Sequence, residues 1–294
     1  MHVVVRTFRP PFLLLTPVCV FIGTAVVYAA HGEIDIVLLL LVLSGALTAH
    51  ISVNALNEYL DFRSGLDLLT RRTAFSGGSG ALPAHPKSAV AVLGAAIVAI
   101  IITTIIGAYL VWRSGPGLLI PGLAGMALIA AYPGYINRRP WLCLIAPGTG
   151  FGVFMVAGTQ YVLLGEYLPV TGWVVLVPFF LVNNLLLLNQ YPDIDADRES
   201  GRRHLLIAYG ITTGNIIYFL FLAATAAVIS LGIWSGVFPE QGWMALLPLP
   251  AGLYALSGAV LYGGNIGSLP QYLAANIMVC LFTPLLLGLA FMME

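Results

Sequence analysis

Residues 36–61 read IVLLLLVLSGALTAHISVNALNEYLD, an apolar run from Ile36 that closes on Asn57-Glu58-Tyr59-Leu60-Asp61. Wound as a helix at 1.5 Å per residue, the part before Leu60 reaches about 36 Å, enough to cross the hydrocarbon core of a bilayer. The closing pattern Asn-x-Tyr-x-Asp returns at Asn189-Gln190-Tyr191-Pro192-Asp193, again at the end of an apolar run. Only 8% of the chain is charged, yet seven of its twelve acids, Glu58, Asp61, Asp67, Asp193, Asp195, Asp197 and Glu199, gather at these two places. Carboxylates at a membrane's edge need cations, and two such clusters imply one polyanion bridged to both by divalent metal.

The remaining sequence extends the pattern of the opening run. The chain has 294 residues, 60% of them hydrophobic, and reads as an all-α integral membrane protein with nine transmembrane helices. The spans are 11–30, 36–59, 88–112, 116–133, 142–164, 171–191, 212–234, 243–263 and 269–292. The first follows Arg6 and Arg9 but is too long for a signal peptide and reads as a retained span. Counting Lys and Arg by loop gives two in the N-terminal tail, four after span two, two after span four and three after span six, against Arg113 alone on the other side. The excess of positive charge puts the N-terminus and both acid clusters in the cytoplasm and Glu294 on the opposite side. Cys19, Cys143 and Cys280 are too widely spaced for a metal site or a disulfide framework and read as core residues. A net charge near zero says little about partners, but a chain this apolar is expected to have membrane lipids around it and no nucleic acid partner.

The two longest loops, 61–87 and 192–205, follow the two clusters. Each supplies acids first and basic residues a few positions later. The copies lie 132 residues and four spans apart, which suggests a repeated four-helix unit with its site at the repeat interface. On a helix, Asn57 and Asp61 share a face, as would Asn189, Asp193 and Asp197 at i, i+4 and i+8. Carboxylate and amide oxygens without His or Cys suit Mg²⁺, which takes one or two carboxylates and fills its octahedron with water and phosphate. Pro192 is expected to kink or end the second row and turn Asp195 away. Arg71, Arg72, Lys87, Arg138, Arg139, Arg202 and Arg203 are candidates to stabilise the charge that develops on a leaving diphosphate. The Gly77-Gly78-Ser79-Gly80 turn is a candidate to present backbone N–H groups to phosphate. Of the aromatics at the cytoplasmic ends, Tyr59, Tyr132, Tyr135 and Tyr191, Tyr132 is the candidate to face a carbocation. His50, two turns deeper than Asn57, reads as a buried neutral imidazole bonded to a neighbouring helix.

These residues resemble the UbiA superfamily of intramembrane prenyltransferases. Arg9-Pro10-Pro11, Asn57 to Asp61 with Gly65 and Asp67, Arg72-Thr73, and Asp193 to Asp197 followed by Gly201-Arg202-Arg203 match in order over nearly the whole chain. The spacing of Asp61 and Asp67 is similar to the menaquinone-type branch, which uses 1,4-dihydroxy-2-naphthoate. The resemblance implies one membrane-embedded domain over 1–294, a bundle of nine helices around a central cavity with a lateral opening for lipid tails. It implies two Mg²⁺ held by Asn57, Asp61, Asp67, Asn189, Asp193 and Asp197; Asp61, Asp193 and Tyr132 are the candidate catalytic residues. Arg72 and Arg203 would contact the diphosphate directly, with Arg71, Lys87, Arg138 and Arg202 in support. The implied reaction is transfer of a polyprenyl group from an allylic prenyl diphosphate to an aromatic acceptor, a quinone precursor. Glu58 stands where Asp is common, His204 where a small hydroxyl residue is usual, and Tyr132 to Trp141 follows the family only loosely. A membrane terpene cyclase and a cation-binding transporter are the alternative readings.

Overall fold

The computed structural model describes residues 2–73 and 75–294, whose regular structure is all helical, with no β-strand among them. Eight helices are long and apolar enough to cross a membrane and a ninth is shorter. They are α1 Pro10–His31, α2 Ile36–Ser64, α3 Pro86–Ser114, α4 Pro116–Ala131 (the short one), α5 Pro140–Leu164, α6 Thr171–Asn189, α7 Leu205–Trp234, α8 Glu240–Ser268 and α9 Pro270–Met292. Each corresponds to an expected span, and the chain is an integral, multi-pass membrane protein. The boundaries that moved are informative. The Asp35 carboxylate caps α2 through the Val37 and Leu38 N–H groups at 2.9 and 3.0 Å, and the helix runs past Tyr59 to Ser64, so the first motif lies inside its last turns. Below the expected start of span seven, α7 has a further turn that is broken from the rest at Gly210, where φ is 83°.

The second motif departs from the expected single helical row. Helix α6 stops at Asn189, residues 190–193 form a turn, and a short helix resumes at Ile194–Glu199. Pro192 has no N–H and cannot continue the ladder. Asn189, Asp193 and Asp197 therefore reach the site from a helix end, a turn and a second helix.

Packing divides the molecule. On one side α5 to α9 and α1 share the main core, which includes Leu181, Leu188, Tyr218, Ile229, Leu273 and Leu287. Helices α5 and α6 touch at backbone level: a Cβ added at Gly148 would sit 2.2 Å from the Phe179 carbonyl oxygen, and one at Gly152 would meet the Phe179 backbone. This is the small-xxx-small contact that membrane helices use. Pro147, inside α5, precedes a stretch, Thr149–Met155, wound wider than an α-helix. Three helices are also pinned by buried amides. Asn184 Nδ2 donates to the Tyr218 carbonyl at 2.9 Å, Tyr218 Oη to Asn276 Oδ1 at 2.8 Å, and Asn276 Nδ2 to the Asn184 carbonyl at 3.2 Å.

The other side is hollow. A cavity of about 720 Å³ is lined by α2 (Gly45, Ala49, Val53), α3 (Thr103, Gly107), α4 (Gly122, Met126) and the near faces of α5 and α6. The first turn of α4 packs on α3, and the remainder lies against α2 and the widened part of α5.

Candidate active site

At the motif end of the cavity, a strap formed by residues 75–80 links the two clusters. Glu58 is fully buried and does not line the cavity. Its Oε1 accepts from Arg9 Nε at 2.9 Å, Arg9 Nη2 at 2.7 Å and the Ser79 N–H at 2.7 Å, and its Oε2 accepts from Ser79 Oγ at 2.7 Å. A carboxylate so fully used anchors the strap rather than a ligand. Arg9 reaches Glu58 from a left-handed backbone, φ 52°, the only such non-glycine residue among those described. The strap then crosses to the second motif, where the Gly77 N–H donates to Asp193 Oδ2 at 3.1 Å. That N–H, expected to face phosphate, is spent on holding Asp193. Gly78 passes so close that an added Cβ would lie 3.0 Å from Asp67 Oδ1.

All six expected metal-ligating residues, Asn57, Asp61, Asp67, Asn189, Asp193 and Asp197, line this one cavity. Arg202 joins the two motifs, donating to Asp61 Oδ1 and, at 3.1 Å, to Asp197 Oδ1. Burial works against its charge, but the Asp61 and Asp197 carboxylates hold its pKa above the usual arginine value. Asp67 and Asp193 have no such partner. Burial first, then the Glu58 and Asp61 charges, push Asp67 up to about 7; burial, then Asp197, push Asp193 up to about 7. One buried oxygen on each of Asn57, Asp67, Asn189 and Asp193 has no hydrogen-bond partner. Unsatisfied oxygens drawn from both motifs, two of them on carboxyls whose ionisation the fold opposes, fit a hard cation. Among the described residues no three carboxylate, imidazole or thiolate groups are placed to hold a metal by themselves; a hard cation here would have to complete its shell from amides, water and a phosphorylated substrate.

The basic candidates separate. Arg202 lines the cavity, whereas Arg71, Arg72, Lys87, Arg138, Arg139 and Arg203 are exposed and do not. The Arg72 guanidinium covers Gly80, and Arg139 lies over the exposed Tyr135 ring at 5.2 Å. Of the four tyrosines only Tyr132 lines the cavity. Tyr59 packs with Leu82 and Val92, and Tyr191 is buried with its hydroxyl donating to Asn215 Oδ1 at 2.8 Å. His50 Nδ1 is 2.9 Å from Thr16 Oγ1 on α1. Asp195 is exposed and pairs with Arg198 at 3.2 Å. Sequence reasoning did not assign roles to Arg9, Glu58 and Ser79 as a latch, nor to Asn137 and His204, which also line the cavity; nothing in the sequence marks Asn137, and His204 is marked there only as a departure from the family's usual small hydroxyl residue.

The UbiA prenyltransferase family model matches residues 16–263. The chain belongs to that family. This UbiA-family chain is 28% identical over 260 residues to the 1,4-dihydroxy-2-naphthoate octaprenyltransferase of Bacillus subtilis (strain 168), covering 86% of this chain and 80% of the relative. It is 25% identical over 258 residues to the Escherichia coli (strain K12) protein of the same description, covering 83% and 80%. Its fold matches a UbiA homolog from Aeropyrum pernix K1 with a TM-score of 0.71 at 15% identity, over 96% of this chain and 98% of that one. A UbiA homolog from Archaeoglobus fulgidus, bound to DMAPP and Mg²⁺, gives 0.68 at 14% identity over 94% and 98%. The protein is a UbiA-type prenyltransferase.

Proposed function

We propose that this single membrane-embedded domain, with its N-terminus and site on the cytoplasmic face, moves a polyprenyl group from an allylic diphosphate to a hydroxylated aromatic acid of the dihydroxynaphthoate kind, a step in menaquinone biosynthesis, and that it requires Mg²⁺. One observation carries the reading: partnerless oxygens of Asn57, Asp67, Asn189 and Asp193, from both motifs, line the same cavity as Arg202. Relatives described as naphthoate octaprenyltransferases favour the acceptor class.

Asn57, Asp61 and Asp67 would hold one Mg²⁺ and Asn189, Asp193 and Asp197 the other; when bound, the metal offsets the charge that grows on the diphosphate as its bond to carbon breaks. Arg202 adds a fixed positive charge beside that leaving group. The allylic C–O bond breaks with its electron pair going to the diphosphate, the ring's π electrons form the new C–C bond, and the ring regains aromaticity by losing a proton. Tyr132 offers its face to the cation. The apolar walls from Gly45 to Met126 exclude water from it and take up the tail, which enters along the thinly joined α3–α4 side.

The test is purified protein with Mg²⁺, one labelled prenyl diphosphate and a panel of aromatic acceptors, read by mass spectrometry of the lipid extract. A prenylated naphthoate is the expected product. A terpene hydrocarbon or alcohol formed without acceptor, or no metal requirement, overturns the reading.

A further inference from the structure

Beside the second motif lies a pair of polar residues that neither metal nor diphosphate accounts for. Asn137 is 7% exposed and His204 1% exposed, and both line the cavity. The backbone ties them together: the Arg203 N–H donates to the Asn137 carbonyl at 3.0 Å. Asn137 spends its Nδ2 on the Pro133 carbonyl and leaves Oδ1 buried without a partner. His204 Nε2 sits 3.2 Å from Asp197 Oδ2, outside hydrogen-bond geometry, and Nδ1 has no partner either. A carboxylate beside Nε2 favours the tautomer that carries its proton there, which leaves Nδ1 with a lone pair. With the imidazole neutral in that tautomer, the two free positions are both hydrogen-bond acceptors. Phosphoryl oxygens bring no hydrogen to such a site, so the pair is mismatched to the diphosphate. A ligand with hydroxyl donors on a flat apolar body fits it, and Tyr132, Leu128 and Cys143 supply apolar wall in the same cavity.

We propose that Asn137 and His204 form the acceptor subsite, with Asn137 Oδ1 and His204 Nδ1 accepting from hydroxyl groups of the aromatic ring. The assignment rests on the proposed aromatic prenyl transfer. It makes selectivity for hydroxylated acceptors a property of these two side chains, since a buried acceptor left unpaired penalises an analogue that lacks the hydroxyl.

Full-length protein in nanodiscs, with Mg²⁺ and a labelled prenyl diphosphate, is assayed with 1,4-dihydroxy-2-naphthoate and with its analogue lacking the 4-hydroxyl. His204→Ala and Asn137→Leu are each expected to raise the acceptor KM about tenfold or more and to narrow the difference between the two acceptors. The prenyl diphosphate KM and the Mg²⁺ half-saturation should stay put. His204→Asn, which returns an oxygen near Nδ1, should recover acceptor binding, while His204→Gln, which reaches toward Asp197, should not; this pair carries the test even if the alanine variant does not fold. Unchanged acceptor KM in the variants, or rescue by Gln together with a shifted Mg²⁺ requirement, overturns the subsite. Wild-type protein that prenylates no aromatic acceptor fails earlier and overturns the reading of the reaction along with it.

Discussion

Helices α3 and α6 have opposite burial, and hydropathy orders them the wrong way round for a water-soluble protein. The most apolar stretch of α3 has a mean hydropathy of 2.8 and is 17% buried; that of α6 has 1.9 and is 67% buried. The buried helix contains Asn183 and Asn184, at 0% and 1% exposure, while the apolar one shows Ile101, Ile105 and Trp112 to its surroundings. In lipid there is no hydrophobic force pressing apolar helices together: α6 is enclosed by α5, α7 and α9 through small residues and amides, whereas α3 packs mainly along one neighbour, α2, where Thr103 Oγ1 lies 2.9 Å from Thr48 Oγ1. Greasy helices are left to form the wall of a cavity that accepts a lipid tail. The functional site spans the seam, with one motif ending α2 on the hollow side and the other ending α6 on the packed side.

The sharpest way to break this division is to remove a carboxyl at the seam. Asp193→Ala should lower turnover by about 10²–10³-fold, the scale of losing one group that stabilises transition-state charge, while the thermal unfolding midpoint of the metal-free protein stays the same or rises. Removing a buried carboxyl whose ionisation the fold opposes offsets the Gly77 N–H bond that is lost with it. A large drop in the midpoint would mean that the seam holds the fold together and is not reserved for chemistry.

A smaller effect comes from pH. Asp67 and Asp193 are pushed up to about 7, above the ordinary carboxyl value, so the metal-free folded state binds protons more tightly than the unfolded chain does. Stability without metal should therefore fall as pH rises from about 4 to 7 and level off above that. Mg²⁺ needs both groups ionised, so its apparent affinity should weaken by about tenfold or more per unit below pH 7. Titrating the Mg²⁺ requirement for turnover at pH 6, 7 and 8 checks it; a flat response would show that these two carboxyls do not bind the metal.

How much of this was legible in the sequence follows the same seam. Ile36 to Asp61 discloses a membrane helix and its ligand-bearing end because hydropathy and the placement of acids are local properties. Asp195 facing away follows from Pro192 for the same reason. What escaped was set by tertiary contact. Glu58 sits in the first cluster and looks like a ligand until Arg9 and Ser79 are seen around it. Arg72 and Arg203 are next to the motifs in sequence but are exposed, whereas Arg202 turns inward to Asp61, 141 positions earlier. Neighbouring residues on a short turn point in different directions, and no count of positive charge tells them apart.

Next in size is a packing change on the full side. Gly148→Ala puts a methyl 2.2 Å from the Phe179 carbonyl oxygen, and backbone cannot retreat as a flexible side chain does. Overpacking of this kind costs about 1–3 kcal/mol, read as a lower unfolding midpoint in detergent, with turnover per folded molecule largely retained.

The matching change on the hollow side should go the other way, and by less. Gly107 lies on α3, lines the cavity, and has nothing within 4 Å of the position a Cβ would take. Gly107→Ala removes backbone freedom from the unfolded chain and meets no obstacle, so it should stabilise by about 0.5–1 kcal/mol. Enlarging the same side chain to Phe takes volume from the cavity. The variant should keep its unfolding midpoint and shift its preference toward shorter prenyl diphosphates, measured by competition between a short and a long donor. A midpoint that falls as far as in Gly148→Ala would mean that the hollow half is packed after all; unchanged donor preference with unchanged stability would mean that the tail lies elsewhere than along α3.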